Sequence, residues 1–126
     1  MDITNETKMA ATGLGIFLPI ALNSKTEKVA ALITRLEQEH GFHVHAVTAE
    51  DLRDHDSDWS EQAKTAADGK QVIALYDAYA DTDMAGAVTV SILLDQASKY
   101  GFHPVVAVGP YGMDTALGNR FLHINF

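Results

Sequence analysis

Gln71 to Gly109 reads QVIALYDAYADTDMAGAVTVSILLDQASKYGFHPVVAVG, and this stretch decides the fold. Val72-Ile73-Ala74-Leu75 is a short apolar run that stops at Tyr76-Asp77. A loop follows that carries Asp77, Asp81 and Asp83. The spacing then predicts a helix from about Met84 to Tyr100, closed by Gly101. Val105 to Val108 is a second apolar run, punctuated by Gly109-Pro110. Strand, acidic loop, helix and strand make a unit in which carboxylates leave the C-terminal end of a strand. Open α/β sheets place ligand sites there.

The flanking sequence repeats the alternation. Gly15 to Ala21 reads as a first buried strand, with Pro19 marking its end, an edge or a bend. Ser24 and Glu27 have capping-box spacing, and Val29, Leu32, Ile33 and Leu36 recur at helical spacing up to Gly41. Phe42 to Val47 is a second strand. Ala49 to Trp59 is polar and acidic, and a helix from Asp58 or Trp59 to Ala67 follows, with Asp58 and Glu61 as its capping pair. A loop then runs from Pro110 through Asn119, and Phe121 to Ile124 is a last short strand. The order β-α-β-α-β-α-β with an added strand implies a three-layer α/β sandwich with a mostly parallel sheet, flavodoxin-like in class. Residues 1–12 are expected to be a frayed leader, and 13–126 one domain. Ligands are expected beyond the strand ends, after Leu18–Leu22, Thr48, Tyr76–Asp83 and Gly109–Tyr111.

Composition narrows the function. The 126 residues suffice for one core, and a hydrophobic content of 47% with 21% charged residues fits a globular protein. There is no cysteine, so disulfides and thiolate chemistry are excluded. A formal net charge of −8 argues against a nucleic-acid partner, which needs clustered Lys and Arg. The apolar stretch from Met9 to Leu22 follows a segment with Asp2 and Glu6, lacks a basic leader region and is too short to span a bilayer. A cytoplasmic protein with no membrane partner is the expectation.

Four chemistries come into question for these residues. A phosphoacceptor receiver needs an acidic pair after the first strand and a lysine after a later one; Leu18 to Asn23 and Gly109-Pro110 supply neither. Asn23-Ser24-Lys25-Thr26 stands where a helix N-terminus takes a phosphate, but no glycine-rich spacing accompanies it, and helix capping is the simpler role. Asp54, His55, Asp56 and Asp58, with His43 and His45 on the strand before, have no metal-specific spacing, so no metal and no cofactor is expected.

The fourth comes from resemblance. Ala67 to Asp77 is similar to the helix end, strand and aspartate of the nucleoside 2-deoxyribosyltransferase family. Asp83-Met84-Ala85-Gly86 resembles the Asp and Gly of that family's following helix start, and Gly101 to Val108 its next glycine and strand. Gly15 to Leu22 and the tail Asn119 to Asn125 are similar to its first strand and to some members' tails. The resemblance implies a nucleoside-like ligand held by Asp77, Asp81, Asp83, Gly86 and Thr89, in a homo-oligomer that completes its sites across the interface. The family's nucleophilic Glu falls on the first turns of this helix, and from Met84 to Leu94 this chain has no Glu. No catalytic residue is therefore assigned, and activity, if retained, requires a relocated acid. The alternative is a non-catalytic small-ligand-binding or protein-interaction module of the same fold. Val88, Val90, Ile92, Leu93, Leu94 and Ala97 surround much of the helix, which suggests a subunit contact as well as a sheet contact.

Overall fold

A computed structural model describes residues 2–79, 86–109 and 118–126. Its strands are β1 (Ile20–Asn23), β2 (His43–Ala46), β3 (Val72–Asp77), β4 (His103–Ala107) and β5 (Leu122–Asn125), and all their pairings are parallel. The helices are α1 (Thr4–Gly15), α2 (Thr26–His40), α3 (Ala49–Arg53), α4 (Trp59–Ala67) and α5 (Gly86–Tyr100). The three-layer α/β sandwich expected from the sequence is present. Within it the strand order is β2-β3-β4-β1-β5. β1 therefore lies between β4 and β5, where the flavodoxin-like order 2-1-3-4-5 sets it between β2 and β3.

Connectivity explains the layers. The chain moves one way along the sheet from β1 to β2 and the other way from β2 through β3 to β4. Crossovers of one hand then place α2 on one face and α3, α4 and α5 on the other. The period-two pattern of the strands serves both layers. Ile20, Leu22, Ile73, Val105 and Ile124 pack with α1 and α2, while Ala21, Val72, Ala74, Tyr76 and Val106 pack with α3 to α5. Pro104 is tolerated in a central strand because it precedes the first pairing of β4 with β1, at Val105 and Ile20.

Several local expectations are corrected. Residues 4–15 form helix α1, not a frayed leader, and the first strand starts at Ile20 rather than Gly15. Gly13 allows this docking: a Cβ there would lie 2.8 Å from both Ile20 Cδ1 and Leu122 Cδ2. Ser24 does not cap α2. Lys25 occupies the cap position, and the Ser24 hydroxyl donates to the Phe126 carbonyl at 2.5 Å. Asp58 makes no cap bond to the α4 backbone and instead accepts from Gln62 Nε2 at 2.7 Å. The acidic stretch after β2 holds the short helix α3, whose Thr48–Asp51 capping box satisfies its first amides. Gly41 ends α2 in the left-handed conformation, as expected. The apolar circumference of α5 is mostly absorbed inside the chain: Val90, Leu93, Leu94 and Ala97 are buried, and Val88 is exposed. No helix among the described residues is long and apolar enough to cross a membrane.

Candidate functional site

Parallel strands bring all their carboxyl ends to one edge of the sheet, and a cleft opens there over β2 and β3. Pairing between these strands continues one residue past β2, where the Val47 amide donates to the Leu75 carbonyl at 2.8 Å. The chain then turns at Thr48. Thr48 Oγ1 accepts from the Asp51 amide at 3.1 Å, and Asp51 Oδ2 accepts from the Thr48 amide at 3.1 Å. This reciprocal cap fixes the start of α3 and sets Glu50 on its first turn. β3 ends beside it at Asp77. The result is a cleft of about 690 Å³ whose lining includes the apolar Ala46, Val47 and Leu75, the oxygen-bearing Thr48, Glu50 and Asp77, and Ala49 and Tyr76. A volume in this range suits a small organic ligand.

A second depression of about 610 Å³ continues from Ala49 and Glu50 to Arg53 and Asp54. Arg53 is held across the gap to α5, where Nη2 donates to Thr89 Oγ1 at 2.6 Å. Two further bonds through Gln96 tie α5 to α3 and to α4. Gln96 Nε2 donates to the Leu52 carbonyl at 3.0 Å, and Gln96 Oε1 accepts from Trp59 Nε1 at 3.0 Å. Glu50 and Arg53 are thus carried on a short helix tied down at its core side, with Glu50 on the strand-end cleft and Arg53 bonded across to α5.

The expected site residues divide. Asp77 lines the cleft. Asp81 and Asp83 lie outside the described residues. Gly86 is the first residue of α5. Thr89 is fully buried and accepts from Arg53 Nη2, so it is not an exposed contact. Glu50 was missed by sequence reasoning. The signal that finds it is the Thr48-x-x-Asp51 cap, which starts a helix immediately after a strand end.

The other weighed groups are engaged elsewhere. Asn23 Nδ2 lies 3.1 Å from His123 Nδ1 and donates to Asn125 Oδ1 at 2.8 Å, so with Ser24 it binds the last strand rather than facing a phosphate. Asp54 Oδ1 accepts from the Asp56 amide at 2.9 Å and closes a turn. His45 stacks on Trp59 with centroids 6.1 Å apart. Burial lowers its pKa below the ordinary 6.5, the nearby His43 lowers it further, and Asp51 opposes both. Among the described residues no group of three or more His, Asp or Glu side chains is gathered to hold a metal ion.

Chemically, the cleft offers carboxylate acceptors against an apolar wall, with an arginine at its margin. Such a set orients hydroxyl groups of a ligand and stacks or covers its apolar part. Searches of the sequence against protein-family models and against curated proteins return no match.

Proposed function

We propose that this protein binds a nucleoside-like small molecule in the cleft above β2 and β3. The observation that carries the reading is the placement of Glu50 and Asp77 on one apolar-walled cleft at strand carboxyl ends. Sugar hydroxyls donate to the carboxylates, and the base lies against Ala46, Val47 and Leu75. This agrees with the sequence resemblance to nucleoside 2-deoxyribosyltransferases in ligand class, although α5 carries no Glu on its first turns. If deoxyribosyl transfer is retained, Glu50 is its candidate nucleophile. Its carboxylate would bond to the anomeric carbon as the N-glycosidic bond breaks toward the base, which takes up a proton. Water or a second base would then release the sugar.

The competing reading is a non-catalytic ligand-binding or interaction module, favoured by the burial of Thr89 at the start of α5. The same proposal sets the protein in the cytoplasm as a homo-oligomer. Assembly is supported by the exposed Met9, Ile16 and Leu18, which line an apolar depression with Leu122 of β5 at the sheet edge. Incubation with a deoxynucleoside and a free base, followed by chromatography, separates the functional readings. Exchange or hydrolysis that is lost in Glu50→Gln identifies an enzyme. Thermal protection by nucleosides without turnover leaves binding alone, and the absence of both sinks the proposal.

A further inference from the structure

At the opposite end of the sheet, where the strands begin, a second cavity of about 510 Å³ opens between α5, the turn before β1 and the start of β4. Three unfavourable features coincide there. His103 is only 2% exposed, and its Nε2–H donates to Gln71 Oε1 at 2.8 Å, which leaves Nδ1 buried with no partner among the described residues. Buried polar atoms are almost always satisfied, so an orphan of this kind requires a reason. Phe17 holds a φ of 59° as the left-handed stop of α1, its amide donating to the Leu14 carbonyl and that of Leu18 to the Gly13 carbonyl, a conformation that costs an aromatic residue energy where glycine is usual. Phe17 is also 69% exposed as a residue, yet its ring stacks on the His103 imidazole with centroids 4.9 Å apart and planes 16° from parallel. An exposed aromatic residue therefore lies over the face of a buried imidazole whose Nδ1 is unsatisfied.

The cavity has its own charge character. Arg120 is the single charged side chain among the described residues that line it, in a chain whose net charge is −8. Leu94, Phe102 and Pro104 supply apolar walls, and Ser98 adds a hydroxyl. Burial lowers the pKa of His103, so the imidazole is neutral and Nδ1 is an acceptor.

We propose that this cavity binds a small aromatic carboxylate bearing a ring hydroxyl or ring N–H. The carboxylate pairs with Arg120, and the hydroxyl or N–H donates to His103 Nδ1. Phe17 is the cover that gives way and then closes on the ligand's ring. Each group answers one feature of the cavity: the anion its lone cation, the donor its orphan acceptor, the flat body its apolar walls. The site is remote from Glu50 and Asp77 and stands independently of the nucleoside reading.

The test uses the full chain titrated with 3- and 4-hydroxybenzoate, benzoate and phenol, read by calorimetry and by the ¹⁵N resonances of the His103 ring. The better hydroxybenzoate is expected to bind roughly tenfold tighter than benzoate or phenol, as a charge-assisted pair plus a buried hydrogen bond allow. Its saturation should move the Nδ1 resonance, and Arg120→Ala should reduce its affinity to that of phenol. Arg120 is exposed, so this variant retains the fold, which an unchanged melting temperature would confirm. Equal affinities across the series, an unaffected R120A, or an Nδ1 resonance that stays fixed because water alone satisfies it would each overturn the proposal.

Discussion

Arg53 on α3 donates to the hydroxyl of Thr89 on α5 across a 2.6 Å contact, and Thr89 is fully buried at that junction. The bond couples the helix that carries Glu50 to the helix that follows Asp77, Asp81 and Asp83 in the sequence. Thr89→Val keeps the shape and removes the acceptor, leaving the guanidinium without that partner. We expect a loss of about 1.5–3 kcal/mol, the range for hydrogen bonds to charged groups. A double-mutant cycle with Arg53→Ala by urea unfolding checks it. Additive losses would show that the two side chains do not act together.

Two glycines of α1 should respond in opposite directions. Gly13→Ala drives a methyl against Ile20 and Leu122, and Ile20 is itself buried, so stability should fall by about 1–3 kcal/mol. A Cβ at Gly15 meets nothing within 4 Å. Gly15→Ala should therefore raise stability by about 0.5–1 kcal/mol through helix propensity. Thermal unfolding of both variants separates docked α1 from a detached one, in which both alanines would stabilise.

Gly109 follows β4 with a φ of +74°, and a Cβ there would press into the Tyr79 ring. The Tyr79 amide also donates to the Ala107 carbonyl at 3.0 Å, so the backbone that carries this ring is tied to the strand end. Gly109→Ala should destabilise by about 1–3 kcal/mol from backbone strain and the displaced ring. Tyr79→Ala in the same chain should recover part of that loss. No recovery would mean the ring does not lie on the glycine.

Stability should fall on mild acidification. Burial lowers the pKa values of His103 and His45, so near the ordinary value of 6.5 the unfolded chain binds protons that the folded chain refuses. Nothing is lost while both states are neutral, and the loss grows as pH falls through 6.5 toward the folded-state values. The urea midpoint should thus drop between about pH 8 and pH 5.5, above the carboxylate range. His103→Gln should flatten the drop. A midpoint that holds or rises over this window contradicts the assignment.

Much of the fold was legible because its signals are local. β3 was read from Val72 and ends at Asp77, and α2 stops at Gly41, because an apolar run and a left-handed glycine need no distant partner to be recognised. Helix α1 was hidden by its composition. Its buried positions Thr7, Ala10 and Leu14 keep helical spacing with Ile3, but small and polar residues occupy that stripe and Gly13 reads as a breaker. The position of β1 between β4 and β5 was illegible for another reason: strand order follows from pairing between segments far apart in sequence, as in Ile20 with Leu122. In the site, Asp77 announced itself at a strand end. Glu50 did not, because its helix is a five-residue element stabilised by a cap rather than by an apolar stripe.

Calorimetric titration of a 2′-deoxynucleoside into the wild-type chain, Glu50→Gln and Asp77→Asn tests the central claim most directly. The account predicts saturable binding to the wild type, weakened roughly tenfold or more in each variant, because each amide replaces a charged acceptor of ligand hydroxyls with a weaker one. No binding to the wild type, or binding that both variants retain unchanged, would contradict it.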